Sequence, residues 1–151
     1  MLLTDLITPA RIRLPVEARD KPGVLRELTA LLVEQCGGVY DDVLQAIEDR
    51  ERVLSTGIGF GVAIPHGKSP TVPQLGLVCG VSRYPIPYDA VDGLPVRLFF
   101  VLAGPESAAG PHVKVLSRIA RLVRRESVRD RLLVAETPAE FQQAIREAEA
   151  W

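Results

Sequence analysis

The chain has 151 residues, 18 Lys plus Arg against 19 Asp plus Glu, a formal charge of -1 and a calculated pI near 6.1. With 47% hydrophobic and 25% charged residues it can bury a real core, which excludes a disordered solvating tail, and its near-neutral charge argues against broad nucleic-acid binding. No apolar run approaches the ~20 residues of a membrane-spanning helix and the N-terminus lacks a secretory pattern, so one domain over residues 1–151, in the cytoplasm and not inserted in a membrane, is expected. The only cysteines, Cys36 and Cys79, fit small buried thiols better than a disulfide or a four-ligand metal site.

In chain order, Arg13 to Val16 reads as an edge strand. The first helix is predicted from Lys21 to Val33, where Val24, Leu25, Leu28, Leu31 and Leu32 share a face, Pro22 suits the first turn and Gly37-Gly38 the stop. A second helix is predicted from Asp42 to about Leu54, capped by Asp41, with Val43, Ala46, Ile47 and Leu54 inward and Glu48 to Arg52 toward solvent. The period then changes. Phe60 to Ile64, Leu75 to Val81 and Pro95 to Leu102 are short β-branched and aromatic runs bounded by Gly, Pro, Asp and Ser, and read as strands of one sheet. Helical spacing returns from His112 to Arg125 through Val115, Leu116, Ile119, Leu122 and Val123. Shorter helices follow at Ser127 to Ala135 and after Thr137-Pro138-Ala139-Glu140, which has the spacing of a capping box. Helices on both sides of a run of strands need a sheet to cover, so an α/β layered domain is predicted.

The chemically densest segment is Thr56-Gly57-Ile58-Gly59-Phe60-Gly61-Val62-Ala63-Ile64-Pro65-His66-Gly67-Lys68. Alternate glycines permit close backbone approach or positive φ, Pro65 fixes the chain before His66, and Gly67 lets it turn away. Such a loop offers backbone N–H donors to a phosphoryl group, with the Thr56 hydroxyl beside them. It has neither the Gly-Lys-Ser/Thr ending of a Walker loop nor the spacing of a dinucleotide fingerprint. His66 reads as a nucleophile, a structural histidine or a metal ligand. The first follows from its chemistry: neutral imidazole offers an unshared nitrogen near pH 7. His112 reads either as its partner or as a core-edge histidine, and the two supply no third ligand at zinc spacing. Arg50 lies in a charge-rich helix end, where it either meets phosphate or is merely solvated. Asp92-Gly93 reads as a turn before the Pro95 strand. The arginines from Arg118 to Arg131 offer an acidic partner a docking face or are a solvated surface.

Together, Arg50-Glu51, the run Ser55 to Gly67 containing Ala63-Ile64-Pro65-His66-Gly67, Asp92-Gly93 and His112 resemble the fructose/mannitol-type EIIA domain of the phosphoenolpyruvate-dependent sugar phosphotransferase system, over about Leu3 to Ile145. The resemblance implies a three-layer α/β/α sandwich with a mixed central sheet, and a phosphotransferase that needs no cofactor and no metal. It implies a phosphohistidine at His66, support from His112 and Arg50, and Thr56 and Gly57 near the phosphoryl group. The donor it implies is HPr, the phosphorylated histidine carrier protein, or its nitrogen-branch counterpart, meeting a shallow site with apolar contacts including Phe60 and Ile58. The onward partner is a sugar-specific EIIB protein or a regulatory target. With a single domain expected and no carrier or membrane domain read in these residues, the nitrogen-type regulator is expected over a sugar-transport subunit. A non-catalytic protein-binding domain on the same fold is the remaining alternative.

Overall fold

The computed structural model describes residues 2–150. Its centre is a six-stranded mixed sheet: β1 (Ile12–Arg13), β2 (Gly57–Gly59), β3 (Val62–Ala63), β4 (His66–Lys68), β5 (Gly76–Ile86) and β6 (Val96–Gly104). The order is β1-β5-β6-β3-β2, with β4 also paired to β6. β1 runs parallel to β5, β5 antiparallel to β6, and β3 and β4 both parallel to β6.

The period of two along β6 builds two cores. Leu98, Phe100 and Leu102 point to one face, where they pack with α3 (Ala109–Leu122), α4 (Glu126–Val134) and α5 (Pro138–Glu149). Phe99, Val101 and Ala103 point to the other, against α1 (Lys21–Cys36) and α2 (Tyr40–Val53). All six are fully buried, and each of the large side chains contributes about 1.5–3 kcal/mol by leaving water. The result is the three-layer α/β/α sandwich.

Helix ends follow local chemistry. Asp20 caps α1 by accepting from the Gly23 N–H, and Gly37, at φ 89°, takes the chain out of it. The α2 boundary differs from expectation: the helix starts at Tyr40 with Val39 as an uncapped N-cap, so Asp41 lies in the first turn, where its charge favours the helix dipole. Leu54, expected inward, is 65% exposed because the helix has already ended, whereas Glu51, expected in solvent, is buried. At α5, Thr137 accepts from the Glu140 N–H, while the Glu140 carboxylate reaches back to Glu136 rather than to Thr137.

The predicted strand from Phe60 to Ile64 is instead a hairpin and half a strand. β2 and β3 are antiparallel, and the Phe60-Gly61 turn between them has positive φ at both residues, 60° and 75°. β3 pairs with Leu98 and Phe99 of β6, then Ile64-Pro65 interrupts the ladder before β4 resumes it opposite Leu102 to Gly104. Proline has no N–H to donate, so the break falls at Pro65 and His66 opens the resumed strand. The predicted edge strand at Arg13 to Val16 is shorter and earlier, although the Val16 N–H still bonds the Val81 carbonyl.

Candidate active site

His66, the first residue of β4, is half-buried, and its Nδ1 lies 2.8 Å from the Ile64 carbonyl oxygen. A carbonyl only accepts, so Nδ1 carries the hydrogen and Nε2 keeps its lone pair. Pro65 sets this geometry by fixing the backbone between the ring and the carbonyl it bonds. Burial holds the ring's pKa below the ordinary histidine value; Arg50 and Lys68 push it the same way, while the Ile64 carbonyl and Glu51 oppose them. His66 is thus neutral near pH 7, with Nε2 unprotonated.

His112 comes from the first turns of α3 and is 2% exposed. Its ring stands edge-on to that of His66, with centroids 5.6 Å apart and planes at 67°. Burial, then His66 and Lys68, lower its pKa to about 4 against a small opposing effect of Glu106, so it too is neutral. Its Nδ1 is buried without a hydrogen-bond partner among the described residues. The helix was expected to start at His112. It starts at Ala109, directly after a short 3-10 turn (Glu106–Ala108), so the Ala108 and Ala109 N–H groups bond the Pro105 and Glu106 carbonyls and Pro111 has none to offer.

Arg50 sits near the C-terminal end of α2, where its Nη1 donates to the Leu54 carbonyl at 2.7 Å. Arg50, His66, Lys68 and His112 line one open cleft of about 550 Å³, with Ala46, Val113 and Leu116 among its apolar residues. Lys68, which is exposed and 3.6 Å from Glu106, adds a second cation that residue chemistry had left unassigned. Gly67 does not turn the chain. It lies within β4, and a Cβ there would sit 2.9 Å from the backbone of Ala46 and Ile47. Its missing side chain lets α2 press against β4 and bring Arg50 to the histidines.

The structure gathers His66, His112 and Arg50 and sets Thr56 and Gly57 apart from the cleft lining. Thr56 is 4% exposed; its N–H and hydroxyl both donate to Glu51, at 2.9 and 2.5 Å, and its hydroxyl also meets Tyr88 at 3.1 Å. The Gly57 N–H bonds the Ser55 hydroxyl, that of Phe60 bonds Asp92, and that of Ile64 bonds the Thr56 carbonyl. These three N–H donors are therefore spent on the fold. Phe60, expected at the donor contact, instead caps the far hairpin beneath Arg129, and Ile58 is partly buried against the core. The exposed apolar residue at the cleft is Val113.

Sequence reading missed Glu51 as well. Its signal was the helical period: Glu51 follows Val43 and Ile47 at four-residue steps and so lies on the buried stripe of α2. Of the arginines from Arg118 to Arg131, Arg125 donates to Ala148, Arg129 to Val123 and Arg124, and Arg131 to Glu147, while Arg118 lies 3.7 Å from Glu149. Much of that face is spent on tying helices together. Among the described residues no group of three or more His, Cys, Asp or Glu side chains is arranged to hold a metal ion, and no helix is long and apolar enough to cross a membrane.

The family model for the phosphoenolpyruvate-dependent sugar phosphotransferase system, EIIA 2, matches residues 5–148. The chain is 39% identical over 133 residues to a nitrogen regulatory protein of Bradyrhizobium diazoefficiens, covering 87% of this chain and 86% of that one. It is 37% identical over 139 residues to the fructose-specific EIIABC component of Bacillus subtilis, covering 91% of this chain but only 22% of that much longer protein. The crystal structure of nitrogen regulatory protein IIA-Ntr from Neisseria meningitidis superposes with a TM-score of 0.89 at 34% identity, covering 95% of this chain and 98% of that one. The chain belongs to the EIIA 2 family, and its general function is that of an EIIA-type phosphocarrier.

Proposed function

We propose that His66 is the residue that carries the phosphoryl group, received from an HPr-like phosphorylated histidine carrier. The observation that carries this reading is the imidazole whose Nδ1–H is held by the Ile64 carbonyl, so that Nε2 faces its reaction partner as a neutral nucleophile. The Nε2–phosphorus bond forms as the bond to the donor's imidazole nitrogen breaks, and the Nδ1 proton stays where it is. No general base is needed. Arg50 and Lys68 face the charge that arrives with the phosphoryl group, and His112 limits the angles from which it approaches. Val113 and Leu116 give the incoming protein an apolar footing. Thr56 and Gly57 support the site from behind rather than by touching phosphate.

The phosphorylated protein then acts as a binding switch for a regulatory target, rather than solely as a feeder of a sugar-specific EIIB protein. The nitrogen regulatory relative supports this choice, because the similarity extends over 86% of its length, and the Neisseria structure agrees over almost its whole chain. About -1.5 to -2 of charge added at the mouth of one cleft changes what that surface binds without moving the sheet. The fructose-specific relative at 37% identity favours the second reading, a sugar-transport subunit that hands the group to EIIB.

Phosphoenolpyruvate, enzyme I and the matching histidine carrier should label the wild-type protein once, in an acid-labile linkage mapping to His66, and should leave folded His66→Ala unlabelled. Stoichiometric labelling of that variant overturns the assignment, and absence of labelling in wild type favours the non-catalytic binding domain. Purified candidate targets that bind only one phosphorylation state establish the switch; rapid transfer to a cognate EIIB with no state-dependent target establishes the transport role.

A further inference from the structure

A buried polar cluster of Lys21, Glu51, Thr56 and Tyr88 lies behind the site and does not line the cleft. Glu51, its side chain 5% exposed, receives the Lys21 ammonium at 3.0 Å, the Thr56 N–H at 2.9 Å and the Thr56 hydroxyl at 2.5 Å. With that hydrogen spent, the Thr56 oxygen accepts from the Tyr88 hydroxyl at 3.1 Å. Lys21 also donates to the Tyr88 carbonyl at 3.3 Å and lies 4.4 Å from the centre of its ring. Three elements are thereby clamped to one carboxylate: α1 through Lys21, the entry to β2 through Thr56, and the Tyr88 segment.

The clamp leads to the nucleophile by two further bonds. Glu51 holds Thr56 by both of its donors, which fixes the direction of the Thr56 carbonyl. That carbonyl accepts the Ile64 N–H at 3.0 Å, and the Ile64 carbonyl accepts Nδ1–H of His66 at 2.8 Å. We propose that Glu51 is a positioning residue for phosphoryl transfer, acting through Thr56 and Ile64 to hold the His66 ring in one orientation and one tautomer. The inference rests on the proposed role of His66 and extends it to a residue that does not line the cleft. An isolated buried carboxylate is costly to keep; the cost here is met by three donors, and the rigidity they create is passed to the imidazole. The negative charge has a second effect. Burial, Arg50 and Lys68 all disfavour a proton on His66, and Glu51 with the Ile64 carbonyl oppose them, keeping the ring basic enough to be a good nucleophile.

Two variants separate reach from charge. Glu51→Gln keeps the shape but loses the charge and leaves Lys21 unpaired; Glu51→Asp keeps the charge but is one methylene too short for both Thr56 donors. Long-range proton–nitrogen NMR on histidine-labelled protein reads the tautomer and pKa of His66 with no phosphoryl donor present. These readings therefore stand even where transfer itself fails, which distinguishes loss of this inference from loss of the proposed function. The wild type should show a single Nδ1–H tautomer. Glu51→Gln should lower the His66 pKa, while Glu51→Asp should leave it nearly unchanged. Both should show mixed tautomers and roughly tenfold slower phosphoryl acceptance with the donor KM unchanged. A folded variant of either kind with the wild-type tautomer and the wild-type rate overturns the proposal.

Discussion

The segment from Gly57 to Lys68 runs along one edge of β6 and has two ends that look alike in sequence, each rich in glycine next to a ring. At the hairpin end, Gly59-Phe60-Gly61 closes a turn by adopting positive φ, and the aromatic ring lies in the open under Arg129. At the histidine end, Gly67 has no positive φ and is present because α2 leaves no room for a Cβ. The β6 partners of the two ends, Leu98 and Leu102, are four residues apart, or about 13 Å along the strand. The glycines thus serve two different purposes, chain reversal at one end and helix-to-strand contact at the other. Only the second borders the cleft of the candidate site.

Substituting alanine at each end should separate these purposes most sharply. In Gly67→Ala the new Cβ meets the backbone of Ala46 and Ile47 at 2.9 Å, so α2 must move. We expect a loss of about 1–3 kcal/mol from such overpacking, together with slower phosphoryl acceptance because Arg50 moves with the helix. Gly61→Ala meets nothing nearer than 3.7 Å and suffers only from its φ of 75°, a cost of about 1–2 kcal/mol with no change in transfer. Denaturant midpoints and transfer rates for the pair decide this. Equal transfer rates would mean that the contact between α2 and β4 does not position the site.

The difference between the ends explains what the sequence made legible. The layered architecture and the helices follow from apolar period and residue chemistry, both of which are local, whereas these leave the pairing of His66 with His112 open and only the family resemblance implies it. The alternation on β6 and the stripe on α3 could be read directly, because each side chain's face is set by its own element. The uses of Gly67 and Phe60 could not be, since each depends on what a distant segment places against it, α2 and Asp92 respectively, and that of Thr56 depends on the burial of Glu51 five residues earlier. Glu51 shows the same limit from the other side. Its charge argued for solvent while its position on the α2 stripe argued for burial, and position prevailed because Lys21, 30 places earlier, and Thr56 were there to meet it.

Acid should affect the histidine end first. His66 and His112 have folded-state pKa values below the ordinary 6.5, that of His112 falling to about 4. Below pH 6.5 the unfolded chain binds protons that the folded chain refuses, so stability is complete above that value and falls with pH until His112 itself protonates near 4. Denaturant midpoints between those limits should decline in wild type and decline less steeply in His112→Gln. Phosphoryl acceptance should persist somewhat below pH 6.5, because the lowered His66 pKa keeps the nucleophile neutral. A stability curve that is flat over this window in wild type would show that the pair is not held neutral by the fold.

The smallest effect belongs to the hairpin end, at Asp92. Its Oδ2 accepts the Phe60 N–H at 3.0 Å and its Oδ1 the Leu94 N–H at 3.1 Å, which ties the turn to the loop that leads into β6. These bonds hold the Asp92 pKa below its ordinary 3.8, so the carboxylate contributes stability above that value and loses the contribution only in stronger acid, at a lower pH than the histidine end. The bonds are solvent-exposed, and water replaces them at little cost. Asp92→Ala should therefore lower Tm by only about 1–3 °C and loosen Phe60, visible as faster amide exchange at that residue. Phosphoryl acceptance should equal wild type, because the turn is on the opposite end of β6 from the cleft. A clear fall in transfer rate for this variant, with His66 still in its single tautomer, would place Asp92 and the Phe60 hairpin on the donor's docking surface and dissolve the division between the two ends.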